Sequence, residues 1–349
     1  MLNGVPRILL VRLSAIGDVV RVLPAVHALR DLYPSAQLDF AVEPKSADIV
    51  RDHPALDQLL LFRRTESGVK GTLAFKDFCR HVRDNRYDIV VDFHGILKSG
   101  VIVRSSGAKE RYGFSPPRSQ EMSHLAYNHR VPLVHQRMNR IDENLELCKA
   151  LGAKRHSLDV RIDVAPEVED HIDEWIEDTF HGGKGLALVH APVDRPEKQW
   201  PLRHFAEVCD MIEADGRLEV VLTWGPGQRH VVEEVASYMR REATISPELP
   251  DLKHFAYLAQ RAKLFFGGDT GPMHIASAMD CPVVVVFGGT DPAKHGPMRK
   301  PHEILYAGPE SGPNPKDLEK AQEYLAAIDA EQAYDACVRV LHQAPTGSG

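Results

Sequence analysis

Two short stretches place reactive side chains where apolar runs end. "VRLSAIGDVV" (11–20) passes from an apolar run through Ser14 and Gly17 to a carboxylate, Asp18. A glycine-bearing turn between a strand and a helix commonly cradles phosphate, and a carboxylate there would repel one. Asp18 therefore reads either as a helix cap or as a general base at the carboxyl end of a strand. "GGDTGPMH" (267–274) is the opposite case. Asp269 or Thr270 can cap a helix, Pro272 fits its first turn, and Gly271 lets a ligand approach the backbone. Free N–H groups at such a helix start suit a phosphate, although a plain capped helix explains the same residues. His274 belongs to the same end and on its own reads as structural.

Three further loops carry polar groups. In "APVDRPEKQWP" (191–201), Lys198 could neutralise a diphosphate or simply be solvated, and Trp200 before Pro201 reads as a core anchor. "GPGQRH" (225–230), with Gly225 and Gln228, is a glycine turn against which a nucleoside could lie, and turn chemistry explains it nearly as well. "DIVVDFHGILKSG" (88–100) ends a strand with Asp92 and His94, then opens a helix bearing Lys98 and Ser99.

The elements that must position these groups alternate along the chain. Strands are expected at 7–12, 38–42, 58–62 and 88–93, with helices through 24–32, 45–53 and 73–85. The near-continuous apolar character of these runs suits parallel strands covered on both faces. Pro24 fits either the first turn of a helix or a kink in one begun at Gly17. An acidic helix over 165–180 and the turn "HGGKG" precede a second series. Its strands are expected at 186–190, 218–224, 263–268 and 282–288, with helices at 201–212, 230–239 and 252–262 and after "DTGPMH". The tail 316–341 is helical with a break near Ile328 and Asp329, where Asp329 followed by Glu331 and Gln332 can cap the second half. The fold class is α/β: two Rossmann-like, doubly wound domains facing a central cleft, with ligands outside the carboxyl ends of the strands.

A chain of 349 residues exceeds what one core usually holds, which agrees with two domains. Its formal charge of −7 argues against bulk nucleic-acid binding. No apolar run reaches a membrane span of about 20 residues. The N-terminus lacks a signal-peptide cleavage pattern, so a cytoplasmic protein is expected, and a local basic patch leaves room for contact with a membrane face. Cys79, Cys148, Cys209, Cys281 and Cys337 form no CxxC and read as free buried thiols.

Taken in order, "LLVRLSAIGDVVRVLPAV", "YDIVVDFHGILKSG", "HAPVDRPEKQWP", "VLTWGPG" and "GGDTGPMHIASAMDCPVVVVFGGTDP" (267–292) resemble the glycosyltransferase family 9 heptosyltransferases of lipopolysaccharide core assembly. The resemblance covers most of the chain. "VDFHGILKSG", "YNHRVP" and "NRIDENLEL" look more like the type I subgroup, which adds the first heptose to Kdo, than type II. The resemblance implies a GT-B fold. Residues 1–164 would bind the acceptor, 165–184 form a linker helix and hinge, and 185–328 bind the nucleotide sugar. A helix in 329–349 would cross back to the first domain before a flexible tail.

It also implies an inverting transfer that needs neither metal nor other cofactor. The sugar would pass from ADP-L-glycero-D-manno-heptose to Kdo of Kdo-lipid A, with peripheral contact at the inner membrane and no nucleic acid. Asp18 resembles the catalytic base, and Asp269 the residue that hydrogen-bonds the donor heptose. Lys198 and the N–H groups around Thr270, Gly271 and Pro272 are candidates for the diphosphate, with His274, Gly225 and Gln228 also on the donor side. Because Kdo is anionic, Lys98, Arg118, Arg137 and Arg140 are candidates for the acceptor, beside Ser14 and Gly17.

Two departures stand out. Pro192 and Val193 occupy positions where type I enzymes have adjacent hydroxyl residues, and Gln228 with Arg229 replaces a glutamate suited to ribose. Another nucleotide sugar, a type II-like acceptor, or a protein or other glycan acceptor are the alternatives, with a non-catalytic nucleotide-sugar-binding protein further off. A nicotinamide oxidoreductase would need a GxGxxG after the first strand, which "SAIGDVV" lacks.

Overall fold

The structure is a computed structural model that describes residues 5–63, 69–154, 162–242, 244–297, 299–314 and 316–343. The chain divides into two units, Met1–Asp163 and Val164–Gly349. The tail 344–349, expected to be flexible, lies outside the described residues.

Among the described residues the first unit holds six strands: β1 (Arg7–Val11), β2 (Gln37–Val42), β3 (Gln58–Leu61), β4 (Ile89–Asp92), β5 (Glu110–Phe114) and β6 (His129–Val131). All pairs are parallel, in the order β3-β2-β1-β4-β5-β6. Its helices are α1 (Ile16–Val20), α2 (Leu23–Leu32), α3 (Pro44–Ala47), α4 (Val69–Asp84), α5 (Leu97–Ser105) and α6 (Arg140–Leu151). The second unit begins with α7 (Pro166–Thr179). It then alternates β7 (Gly185–His190), α8 (Leu202–Asp215), β8 (Leu218–Leu222), α9 (Arg229–Tyr238), β9 (Thr244–Ile245) and α10 (Leu252–Arg261). It continues with β10 (Leu264–Gly268), α11 (Gly271–Ala278), β11 (Val283–Phe287), α12 (Pro292–His295), β12 (His302–Tyr306), α13 (Leu318–Ala326) and α14 (Ala330–Gln343).

The second sheet runs β12-β11-β10-β7-β8-β9. Counted from its own first strand, this is the order of the first sheet. In each sheet the order reverses between the first and fourth strands, β1 beside β4 and β7 beside β10, with registers Val11↔Asp92 and Gly267↔His190. Open α/β sheets bind ligands outside the carboxyl ends of strands at such a reversal. The four strands there are buried almost throughout, as parallel strands between two helix layers must be. At Gly267 a Cβ would lie 2.8 Å from the His190 carbonyl oxygen, so only glycine permits this approach between β10 and β7.

Several expectations are refined. Pro24 lies in the first turn of α2 and kinks nothing, because α1 is a separate short helix. The helix expected over 45–53 stops at Ala47; the chain turns through Asp52 at φ 57°, and His53 precedes Pro54, which disfavours helix. β5, β6, β9 and β12 are additional strands, short or half-exposed, whose sequences lack a continuous apolar run.

Two expected placements are corrected. The 165–184 stretch is more than a linker: α7 packs on α10, with Ile172 buried and Asp173 bonded to Tyr257 (2.9 Å) and ion-paired to Arg261. The final helix was expected to pack on the first domain, but its buried face packs inside the second. Ala333, Ala336, Cys337 and Val340 join a core with Val284, Val286, Phe266 and Trp200. Four alanine or valine-sized positions on one face let a helix lie close to a sheet.

Trp200 anchors its loop as expected: it is fully buried and its Nε1 donates to the Ile328 carbonyl (3.1 Å). All five cysteines are buried. No described helix is long and apolar enough to cross a membrane.

The break before α14 is a reciprocal cap. Gln332 N donates to Asp329 Oδ1 (2.8 Å), and Asp329 N donates to Gln332 Oε1 (3.2 Å). Asp329→Ala is expected to lower stability by about 1 kcal/mol, read from the midpoint of a urea melt at constant m-value.

Candidate active site

In the first unit, β1 ends one residue before Arg12, and β4 ends at Asp92. Asp92 is wholly buried and accepts from His94 N (2.8 Å), Gly95 N (3.2 Å) and Tyr127 Oη (2.7 Å). These bonds fold the β4–α5 loop so that Phe93 and His94 face the loop after β1, where Leu13 N donates to His94 Nδ1 (3.4 Å). Burial, then the neighbouring Arg12 charge, pushes the His94 imidazole down to about 3, so it is neutral at pH 7.

Asp18 lies in α1 with its side chain 27% exposed. Each of its oxygens is taken: Oδ2 by the Arg12 guanidinium and Oδ1 by that of Arg21. The pairing partners are almost fully buried, at 9% and 6% exposure. Arg12 also donates to the Phe93 carbonyl (2.8 Å), and Arg21 Nε to the Gly17 carbonyl (3.2 Å). Burial pulls Arg12 down to about 10 although Asp18 opposes the shift, leaving it charged.

Arg118 shares the Phe93 carbonyl (3.4 Å) and donates to the His94 carbonyl (3.2 Å) and to Glu143 Oε2 (2.7 Å), which Arg140 also reaches. Glu143 is buried in the first turn of α6, a helix capped by the Asn139 side chain. Of the expected acceptor residues, Arg118 and Arg140 therefore join the Asp18 cluster. Lys98 is 3.9 Å from Glu43 and sits over the Phe62 ring. Ser14 is half-buried, Gly17 is buried, and Arg137 is exposed on the stretch before α6.

In the second unit, Lys198 closes the loop after β7 and Asp269 follows β10. Lys198 Nζ donates to Asp269 Oδ2 (2.7 Å) and to the Asp269 carbonyl (3.2 Å); Thr290 Oγ1 donates to the same carboxylate (2.6 Å). Burial would raise the Asp269 carboxyl, but Lys198, then His295 and His274, outweigh it and hold it near about 2.

Thr270 is the N-cap of α11 but its hydroxyl makes no cap bond, turning instead to the Gly268 carbonyl (3.4 Å). The first-turn N–H groups of α11, starting at Gly271 and interrupted at Pro272, are thus left to a ligand or solvent. His274 is buried in the second turn. Gln228 is the N-cap of α9. Its Oε1 accepts from Gly225 N (3.2 Å) and its Nε2 reaches Asp194 (3.4 Å), so it braces its own turn.

Sequence reasoning missed Arg12, Arg21, Glu143 and Thr290. Arg21 was visible as an i,i+3 partner of Asp18, and Arg12 as a charge closing an apolar strand. Thr290 and Glu143 reach their partners across 21 and 25 residues, a distance no local pattern encodes.

The depressed Asp269 carboxyl has a pH consequence. A carboxylate whose pKa falls on folding adds stability above its unfolded value, about 4, and loses it as pH falls towards about 2. Asp269→Asn should flatten the stability profile in that window by about 2 kcal/mol, measured by denaturant melts from pH 5 to 2.5.

The profile of glycosyltransferase family 9 (heptosyltransferase) matches residues 75–325. Lipopolysaccharide heptosyltransferase 1 of Salmonella typhimurium is 26% identical over 312 residues, 87% of this chain and 95% of that protein. The crystal structure of a family 9 glycosyltransferase from Veillonella parvula aligns with a TM-score of 0.85 at 21% identity, covering 98% of this chain and 99% of that one. E. coli heptosyltransferase WaaC with ADP aligns with a TM-score of 0.73 at 22% identity, covering 94% and 98%. The two parallel sheets, each reversing at its first strand, are those of the GT-B fold, and the chain belongs to glycosyltransferase family 9, the heptosyltransferases, as a glycosyltransferase.

Proposed function

We propose that the protein transfers L-glycero-D-manno-heptose from ADP-heptose to Kdo of the lipopolysaccharide inner core, with inversion and without a metal, at the cytoplasmic face of the inner membrane. The observation that carries this reading is Asp18, a partly exposed carboxylate at the reversal point of the first sheet, set among Arg12, Arg21, Arg118 and Arg140. A base to take a hydroxyl proton and cations to hold an acidic sugar are what an acidic acceptor requires.

In this reading the acceptor hydroxyl oxygen forms a bond to the anomeric carbon on the face opposite the phosphate. The carbon–phosphate oxygen bond breaks, ADP leaves with that electron pair, and the hydroxyl proton passes to Asp18. Lys98, Arg118, Arg137 and Arg140 hold the acceptor beside Ser14 and Gly17. Lys198 and the N–H groups around Thr270, Gly271 and Pro272 meet the diphosphate as charge builds on it. Asp269 orients Lys198 and accepts from the donor sugar, and His274 supports the helix that presents these groups. The name of the relative that aligns with 95% of its length supports the sugar and the glycan.

A second reading keeps the chemistry and changes the donor or acceptor. It is favoured by Gln228, whose amide braces Gly225 and Asp194 where a ribose-binding group was expected, and by Pro192 and Val193, which offer no hydroxyl.

The deciding experiment offers Kdo₂-lipid A with ADP-heptose, ADP-glucose, UDP-glucose or GDP-mannose, and reads the acceptor by mass spectrometry. Gain of one heptose from ADP-heptose alone supports the first reading; gain from another donor supports the second. Asp18→Asn should cut kcat by about 10² to 10⁴ while ADP binding stays near wild type; near-normal turnover would remove Asp18 from the mechanism. Lys198→Ala should weaken ADP-heptose binding by tenfold or more, read as Kd, and EDTA should leave the rate unchanged; an EDTA loss restored by Mg²⁺ would overturn the metal-free scheme.

A further inference from the structure

We propose that Arg12 and Arg21 form a carboxylate seat, held by Asp18 in the absence of acceptor and taken over by the acid group of the acceptor sugar, which thereby frees Asp18 to act. The inference rests on the reading of Asp18 as the base.

The first argument is geometric. Both Asp18 oxygens are engaged by guanidiniums, and a carboxylate so held is a poorer proton acceptor than a released one. A base that is fully paired before substrate arrives needs a partner exchange.

The second is charge. Two carboxylates here are each shared by two guanidiniums, Asp18 by Arg12 and Arg21, and Glu143 by Arg118 and Arg140. Arg12 and Arg118 even donate to one carbonyl, that of Phe93. His94 is neutral, Glu43 faces Lys98, and the buried Asp92 spends its oxygens on backbone N–H groups and Tyr127, with burial raising its pKa. Desolvated like charges of this kind call for an anion.

The third is an open donor. Arg12 Nε is buried with no acceptor among the described residues. A second carboxylate can satisfy it. Asp18 is the most exposed member of the triad, so the newcomer arrives on its side. Exchange of one carboxylate for another preserves the ion pairs made by Arg12 and Arg21 at this seat, which a neutral sugar could not do. A sugar acid supplies both the displacing carboxylate and the hydroxyl to be deprotonated.

The test is calorimetric titration of free Kdo, and of its neutral carboxamide, into wild type, Asp18→Asn and Arg21→Gln. Asp18→Asn removes the competing occupant and should bind free Kdo about tenfold more tightly than wild type. Arg21→Gln should lose binding by a similar factor, and the carboxamide should bind none of the three. Arg21→Met, which removes the charge but keeps an apolar stem of similar length, replaces Arg21→Gln if thermal melts show that variant unfolded. Equal or weaker binding by Asp18→Asn, unchanged binding by the Arg21 variant, or carboxamide binding as good as the acid's would each overturn the proposal. Turnover is read separately on the same samples. A fully active Asp18→Asn would sink the base assignment, whereas the titration alone decides the exchange of partners.

Discussion

A parallel sheet covered by helices on both faces leaves its strands no polar surface, and this constraint governs both units. Ile8 to Val11 in β1, Val90 and Val91 in β4, and Ala187 to Val189 in β7 are wholly buried. On these central strands charged side chains stand only at the strand ends, whereas Asp39 inside β2 is buried with Tyr87 (2.7 Å) and Gln37 (3.0 Å) as its partners. Arg12, Asp92, Lys198 and Asp269 all stand at or beyond carboxyl ends beside the reversal of strand order, the place where loops from neighbouring strands part in opposite directions.

Each unit meets the cost of desolvated charge in its own way. The second closes its charge locally: one lysine, one carboxylate and one threonine hydroxyl satisfy each other, and the carboxyl is driven down accordingly. In the first, Asp18 and Glu143 are each shared by two guanidiniums, and burial lowers the basicity of Arg12, Arg118 and His94. A closed cluster suits a rigid support for a helix N-terminus; a cation-rich one suits capture of an anion.

Much of this was legible in the sequence. The apolar runs located β1, β2, β4, β7, β8, β10 and β11. The Asp329 cap and the Trp200 anchor follow from local chemistry that needs no tertiary information. Strands at or next to a sheet edge, such as β9 and β5, escaped because half-exposed positions carry ordinary polar residues. The segment 165–184 read as a hinge because its acidic face is visible in sequence, while the Asp173 contacts with Tyr257 and Arg261 that bind it to the second unit are not. Asp18 and Asp269 stood out in the sequence by position, where apolar runs end. Their partners Arg12, Arg21 and Thr290 were not, because an apolar pattern locates strand ends without telling which neighbouring charges turn towards one another.

The five buried cysteines have a practical consequence. Burial raises every one of these thiols, with Cys148 driven up to about 12, so the reactive thiolate is scarce at neutral pH and shielded by packing. The native chain is thus expected to react slowly with maleimides, which a thiol-labelling time course reads directly. A cysteine introduced on an exposed helix of each unit could carry a fluorophore without first stripping the natural sulfurs from two well-packed cores.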